Sequence, residues 1–421
     1  MFAKYLNKWF RLAGWKQIIC GLIAGILVGL ILGDKAHYLK PIGMIFIHLI
    51  QMLVVPVVMT AIVCAVLSIK DFQKMGKFIA KALVIYGFTM AASATIGILI
   101  ANALDVGHGF SMVPPVSEAA IVPHMLTLGE ILVSFVPTSP VQAFATNNVM
   151  QILCFAFLFG VALRMVGEKG KPVQDLFVSL SDVVFRFAKI VVGFAPYGVF
   201  ALMACVIGQY GLAALLPLIK FVGSVYLSCG LLIIFVYGTV LLFNGINPLH
   251  FLRNISFVLI TAFTTSSSAA TLPVTMRCAR ETLRINRGLS DFLLPLGTTL
   301  NLNGLAAYLT VAAIFAANMF GVKLGMSQYI TLVITTVFAA AGAAAIPGSA
   351  LIVMSAVMSS VGIPLAAVPI IAGVDRFNDM AQTMTNVAGD LFATTLVAKS
   401  ENMIDAIKSD ELGNKSTILY P

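Results

Sequence analysis

Apolar residues in this chain come in runs of about twenty or more, the length a helix needs to cross a bilayer core, with short polar or basic stretches between them. The pattern predicts spans at about 17–32, 42–69 (with Pro56 in its middle) and 83–103. A fourth, 130–166, is interrupted by VPTSPVQAFATNN. A fifth, 177–209, starts amphipathic (Asp182, Arg186, Lys189) and reads as one tilted helix containing Pro196; a sixth occupies 212–243. Lys4, Lys8, Arg11 and Lys16 precede the first span, and a loop with Lys70, Lys74, Lys77 and Lys81 follows the second. Basic flanks of this kind place the N-terminus in the cytoplasm. Gly21, Gly25, Gly29 and Gly33 recur every four residues, a face for close helix packing. The stretch 105–129 reads as an external loop, and the polar tail after Ser400 as mobile and cytoplasmic.

The last third departs from simple spans twice. Segment 254–276 is long enough to cross, yet its centre is Thr264-Thr265-Ser266-Ser267-Ser268. Basic residues bound both ends, Arg253 before it and Arg277, Arg280, Arg284 and Arg287 after it. With both flanks cytoplasmic, the segment enters and leaves from one side as a re-entrant hairpin. A span at 292–320 follows, interrupted by Asn301-Leu302-Asn303-Gly304. A second hairpin of small residues at 331–361, tipped at 341–349, precedes the last helix. Hairpin then polar-interrupted helix, once from each side, is the inverted-repeat pattern of secondary transporters. Irregular backbone at that depth survives only where it is buried or lines a cavity, and its carbonyls and amides are ready ligands.

The segment 374–399, VDRFNDMAQTMTNVAGDLFATTLVAK, is where the chemistry concentrates. Asp375, Asp379, Thr383, Asn386 and Asp390 fall at helical spacings of four, four, three and four, one polar stripe on one face. A carboxylate at membrane depth costs about 2.5–3.5 kcal/mol, so three cost roughly 8–10 kcal/mol unless cations or hydrogen bonds answer them. The hydrophobic segments hold too few Lys or Arg to do so, which points to cations or amines that bind. Arg376 stands about 100° around the helix from Asp375 and is expected to face elsewhere.

Composition narrows the class. Of 421 residues, 60% are hydrophobic and 10% charged, which excludes a soluble globular domain and makes this a polytopic membrane protein. The net charge of +9 lies in short clusters between apolar runs, so basic cytoplasmic loops explain it and no nucleic acid partner is expected. The first segment lacks a small-residue cleavage site and reads as an uncleaved anchor. Six scattered cysteines without CxxC spacing speak against disulfides and zinc. An enzyme would need a base beside its nucleophile, and Ser266, Ser267 and Ser268 have no intramembrane His or Lys placed to help. A closed polar site with two hairpins favours occlusion over a channel.

Four motifs in order carry a resemblance to a known family: TSSSAATLPVT (265–275), NLNG (301–304), AAIPGSA (344–350) and DRFNDMAQTMTNVAGD (375–390). In these the chain resembles the dicarboxylate/amino acid:cation symporter family, the glutamate transporter homologues, from the first span to about Lys399. The resemblance implies an all-α plasma-membrane homotrimer with eight transmembrane helices and two re-entrant hairpins, working as an elevator. Scaffold helices would cover 1–81 and 129–211. The transport domain would take 82–128, 212–253, hairpin one (254–290), broken helix seven (291–325), hairpin two (326–364) and helix eight (365–400), with a tail at 401–421.

Carried over residue by residue, Asp379 would hold the substrate's α-ammonium, while Asn386 and the Ser267–Ser268 backbone would hold its α-carboxylate. Thr383, Leu305, Gln382 and Gly348 would line the same pocket. One sodium site would use Asp390 with carbonyls of Gly297, Asn301 and Asn386; another would use Thr299 and hairpin carbonyls near 340–343.

Departures from the family pattern shape the expected substrate. Gln382 stands where acidic-amino-acid carriers have an arginine, Leu305 replaces an assisting threonine, and Thr265 stands where some archaeal members have an alternative arginine. A second carboxylate would then lack a partner, so a neutral amino acid is expected, with acidic amino acids or C4-dicarboxylates as the alternative. An Arg376 turned into the pocket would weaken that argument. The family's third sodium site uses an aspartate where this chain has Asn303. Tyr86, Thr89 and Asn301 remain, and Met90 replaces a serine, so the site is expected to be weak or absent. Proton coupling through Asp375 or Asp379 is the competing account.

Overall fold

The computed structural model describes residues 14–68, 72–108, 133, 136–146, 149–343 and 349–404. The regular structure there is helical, joined by turns and short irregular stretches, apart from a single antiparallel bridge between Ile285 and Ile404. Four helical runs are long and apolar enough to cross a bilayer: Lys16–Leu49, Gly76–Ala103, Leu215–Phe243 and Arg287–Met319. The basic residues at 4–11, most of the expected external loop and the tip of the second hairpin lie outside the described residues.

Helix α1 (Gly14–Leu32) ends at Gly33, whose φ of +52° is a left-handed turn that glycine adopts freely. Gly33 therefore ends the helix; a Cβ on it would meet nothing within 4 Å, but its carbonyl oxygen lies 2.4 Å from where a Cβ on Gly208 would stand. A Cβ on Gly21, Gly25 or Gly29 would lie 2.3, 2.5 or 2.7 Å from the carbonyl oxygens of Pro196, Phe200 and Ala204. The second expected span is two helices, α2 (Lys40–Met52) and α3 (Val54–Ser68), because the Pro56 ring clashes with the carbonyl four residues earlier and breaks the helix just before it. Helix α4 (Phe72–Ala103) starts earlier than its apolar run, so Lys77 and Lys81 ride on its first turns and do not form a loop.

Of the interruption at 136–148, residues 136–146 are described and contain the short helix α5 (Pro140–Ala145); α6 (Val149–Met165) follows. The segment expected as one tilted helix is two, α7 (Lys171–Gly193) and α8 (Ala195–Tyr210), because Pro196 occupies the first turn of a new helix. Helix α9 spans Leu215–Phe243 and carries a π-helical stretch at Leu232–Tyr237.

The first hairpin is α10 (Pro248–Thr265) and α11 (Ser268–Glu281), packed on each other and turning at Ser266, which sits at φ 48°. Helices α12 (Arg287–Leu300) and α13 (Asn303–Met319) flank the Asn301-Leu302 break. The second hairpin is α14 (Met326–Ala341) and α15 (Ser349–Ser360). The short α16 (Val368–Ala372) then leads to α17 (Asp375–Ser400). Helix α13 is buried nearly throughout, against α4, α9, α14, α15 and α17. Helix α17 is buried over most of its surface, not on a polar stripe alone, with Arg376, Met380 and Met384 on a half-buried line, and it packs on α10, α11, α12 and α13. Elsewhere large apolar side chains such as Ile31, Val84, Ile219 and Phe257 stay exposed, a surface suited to lipid.

The tail begins tied down, not loose. Lys81 and Lys77 both reach Glu401, the latter at 3.1 Å, and Lys81 also donates to Ser400 at 2.9 Å. Lys399 donates to the carbonyls of Asn244 and Gly245, and the Asn286 N–H to Met403 O at 2.9 Å. Hydrogen bonds from Lys81 and then Lys77 hold the Glu401 carboxyl below its usual range. A carboxyl lowered in the folded state contributes above its ordinary range and loses that contribution as pH falls through the lowered value, so acid loosens this clasp.

The α1–α8 contact makes a stability prediction. Gly25→Ala pushes a methyl into a carbonyl and should cost about 1–3 kcal/mol, read as an earlier midpoint in heat-induced loss of the monodisperse chromatographic peak. Gly76→Ala, where nothing lies within 4 Å, should leave that midpoint unchanged or higher.

Candidate functional site

The break between α12 and α13 builds the first half of the site. The backbone cannot continue through Asn301 and Leu302, so side chains and neighbouring helices take over its bonding. Asn386 on α17 accepts the Gly304 N–H at its Oδ1, 2.7 Å, which caps the new helix and leaves the Asn386 amide nitrogen to donate elsewhere. Ser93 on α4 donates to the Asn303 carbonyl at 2.6 Å. A Cβ on Gly304 would lie 2.4 Å from the Gln382 carbonyl oxygen, so only glycine lets α13 begin this close to α17.

Asp390, 1% exposed, is answered by neutral donors. Asn301 Nδ2 donates to its Oδ1 at 3.0 Å, and Thr298 Oγ1 to its Oδ2 at 3.4 Å. The network continues through Asn303, whose Nδ2 donates to Asn301 Oδ1 at 2.9 Å and to the Tyr237 hydroxyl at 2.7 Å. Asn303 Oδ1 is buried without a partner. Two glycines make room: a Cβ on Gly297 would lie 2.8 Å from both Asp390 Oδ1 and the Tyr86 hydroxyl, and one on Gly389 would meet Asn303, Tyr237 and Asn301 within 2.5–2.8 Å. Tyr86 is buried and donates to Leu293 O at 3.4 Å, while Thr89 bonds back to Ile85 O within its own helix at 2.8 Å. The structure thus brings Gly297, Asn301, Asn303, Tyr86 and Asp390 together. Thr299 turns its hydroxyl to Pro295 O at 3.2 Å, away from this cluster.

The other half of the site lies nearer the start of α17. Asp375 accepts from the Tyr308 hydroxyl at 2.7 Å, and both are buried. Arg376 does not face elsewhere: its Nη1 donates to Asp379 Oδ2 at 3.0 Å. Residues three apart are neighbours on a helix, and arginine's long stem spans the gap to Asp379 whatever its angle to Asp375. Arg376 Nε and Gln382 Nε2 are buried donors without partners. Thr383, Leu305 and Asn386 are buried on the same elements. Ser267 caps α11, accepting the Ala270 N–H at 3.2 Å, and Ser268 is buried, so the first hairpin presents the N-terminus of a helix that packs on α17. Gly348 lies outside the described residues. Among those described, no group of three or more His, Cys, Asp or Glu side chains is placed to hold a metal ion.

Tyr237, Tyr308, Thr298 and the third-span Ser93 belong to the site although the sequence motifs assign them no role there. Each is a polar residue in an apolar run, and for Tyr237 and Ser93 the run looks like an ordinary span. A local signal exists for Tyr237 only in the structure, where it ends the π-helical stretch and stacks on Phe392 with centroids 4.4 Å apart.

The family model described as the sodium:dicarboxylate symporter family matches residues 15–400. The C4-dicarboxylate transport protein of Rhodospirillum rubrum is 36% identical over 406 residues, covering 95% of this chain and 90% of that relative. The proton/sodium-glutamate symport proteins of Bacillus caldotenax and Bacillus subtilis are 34% and 32% identical, each spanning at least 94% of this chain and 95% of the relative.

Tyr308→Phe removes the hydroxyl on Asp375 and leaves a buried carboxylate short of a donor, at a cost of about 1–3 kcal/mol. A lower thermal midpoint in detergent, with the elution volume of the chromatographic peak unchanged, is the expected result. An unchanged midpoint would mean that Asp375 is answered by something else.

Proposed function

This chain belongs to the sodium:dicarboxylate symporter family, and from that premise we propose that it carries an acidic amino acid or C4-dicarboxylate across the plasma membrane, driven by sodium or protons. The observation that carries the reading is Arg376 bonded to Asp379 at 3.0 Å. The expectation of a neutral substrate rested on Gln382 leaving a second carboxylate without a cation. With a guanidinium at the pocket that premise falls, and the relatives' names, C4-dicarboxylate transport and proton/sodium-glutamate symport, speak for acidic substrates. A polar neutral amino acid is the second reading, favoured by the unpartnered Gln382 Nε2, a donor suited to a hydroxyl or amide oxygen.

In this reading an ammonium sits on Asp379 and a carboxylate takes the Asn386 amide and the N–H groups at Ser267 and Ser268, where the α11 dipole favours negative charge. Sodium travels as cargo beside Asp390, with the carbonyls of Gly297, Asn301 and Asn386 as its hard oxygen ligands. Thr299 and the hairpin backbone near 340–343 form a second ion site. A third, at Tyr86, Thr89 and Asn303, is weak. Asn303 turns its N–H donors to Tyr237 and Asn301 and offers a cation one neutral oxygen where a carboxylate would offer charge.

Alternating access is by an elevator in a homotrimer, with residues 1–81 and 129–211 as scaffold and the remainder as the moving body. In support, α1 locks to α8 through glycines, while α4, α13, α17 and the first hairpin bury one another. Each charge moved contributes about 2.3 kcal/mol per 100 mV, so a missing ion lowers the gradient the protein can sustain.

Uptake of labelled L-aspartate, succinate and L-serine into proteoliposomes tests the reading. Aspartate or succinate should accumulate under a sodium or proton gradient and leak away when the gradient is collapsed. Accumulation of serine alone would favour the neutral reading, and no uptake of any of them would sink transport altogether. Asp379→Ala should abolish amino acid binding. Reversal potentials should give fewer than three sodium ions per substrate, with Asn303→Asp raising the number; a wild-type count of three would refute the weak third site.

A further inference from the structure

We propose that Arg376 is the specificity-determining carboxylate receptor of this site, and that Asp379 masks it until a substrate ammonium takes the aspartate. The proposal rests on the transport reading above and names the substrate class within it. Arg376 and Asp379 form an ion pair with side chains only 17% and 11% exposed. An arginine in such a setting normally uses its whole planar fork. Here one terminal nitrogen goes to Asp379 while Nε is buried with nothing to donate to.

Gln382 repeats the pattern on the other side. It is 2% exposed, and its Nε2 is likewise buried without a partner. Counting along α17, Arg376 is three residues before Asp379 and Gln382 three after it, so both neighbour that carboxylate on the helix surface. Two unmet buried donors beside an acid call for an acceptor that the protein does not supply, and a carboxylate has oxygens for both.

Charge then selects the ligand. The pair is neutral as it stands, and a ligand that separates it must return a positive charge to Asp379 and a negative one to Arg376. An acidic amino acid does both: its ammonium replaces the guanidinium on Asp379, and its side-chain carboxylate takes the freed fork with Gln382 Nε2. Its α-carboxylate is left for Asn386. A C4-dicarboxylate satisfies Arg376 but leaves Asp379 bare beside an anion. An amino acid with a neutral side chain satisfies Asp379 but leaves Arg376 stranded. The site is therefore tuned to a ligand carrying an ammonium and two carboxylates, through an arginine six positions before Gln382.

Binding of L-aspartate, L-asparagine and succinate to purified protein in nanodiscs, in sodium buffer, tests this. Wild type should prefer aspartate. Arg376→Gln should weaken aspartate about thirtyfold or more while moving asparagine less than about threefold, because only the former uses the guanidinium. Asp379→Asn should lose aspartate and gain succinate, since the receptor is then unmasked. A merely structural ion pair would give equal losses for all ligands in both variants, and that result overturns the proposal. So does aspartate affinity unchanged in Arg376→Gln, or a wild type that binds succinate and not aspartate; both leave the transport reading standing. Should Arg376→Gln fail to fold, Arg376→Lys keeps the charge but not the fork, and should still favour aspartate over asparagine by less than wild type. A wild type that binds none of the three ligands overturns the transport reading and the proposal together.

Discussion

A carboxylate with no water around it must be met by something, and how the three aspartates of α17 are met organises this molecule. Asp390 is met by an amide and a hydroxyl, Asp375 by a phenol, and Asp379 by a guanidinium. Only the last carries a full positive charge in its contact. Neutral donors stabilise an anion enough to keep it folded inside, yet leave a deficit that a small cation can fill. The protein is thus held short of electrostatic balance at Asp390 and close to it at Asp379. Under the proposed function these suit Asp390 to an ion and Asp379 to a zwitterion.

That arrangement requires close approach of backbones, and glycine provides it. Gly297, Gly304 and Gly389 each stand where a methyl group would touch a polar atom of the site within 2.9 Å. Any Cβ there would force α12, α13 and α17 apart and stretch the hydrogen bonds through Asn301 and Asn303. The same device, three glycines of α1 against the carbonyls of α8, joins helices that carry no chemistry. Small residues in this chain mark places where distance matters, whether the purpose is packing or binding.

Much of this was legible in the residues. The acidic stripe, the first hairpin and the Asn301-Leu302 break follow from polar residues placed where apolar ones would be cheaper, and the second hairpin from a run of small residues. Periodicity finds such conflicts well. It does poorly on direction. The angle between Arg376 and Asp375 points the arginine elsewhere, although its neighbour on the helix surface is Asp379, three residues on. It also does poorly where one long apolar run hides two helices, as at Pro56 and Pro196, and where a single tyrosine such as Tyr237 supplies the hydroxyl that a distant break needs. Tyr237, Asn303, Asn301 and Asp390 come from three separate stretches of chain, and no local pattern announces that they will meet.

Asn303 shows how one atom can change what a site does while keeping its shape. An aspartate there would present two oxygens, and neither could donate to Tyr237 or to Asn301 Oδ1 as the amide does. The asparagine holds the same outline, joins both groups as a donor and passes order along to Asp390. Its remaining oxygen is buried and unmet, a weak acceptor where a charge could have stood. Geometry that would otherwise need a cation to neutralise and bridge these groups is here closed by hydrogen bonds alone. In the proposed transport reading, the break between α12 and α13 would keep its form with one ion fewer, and the cost would fall on the driving force and not on the fold.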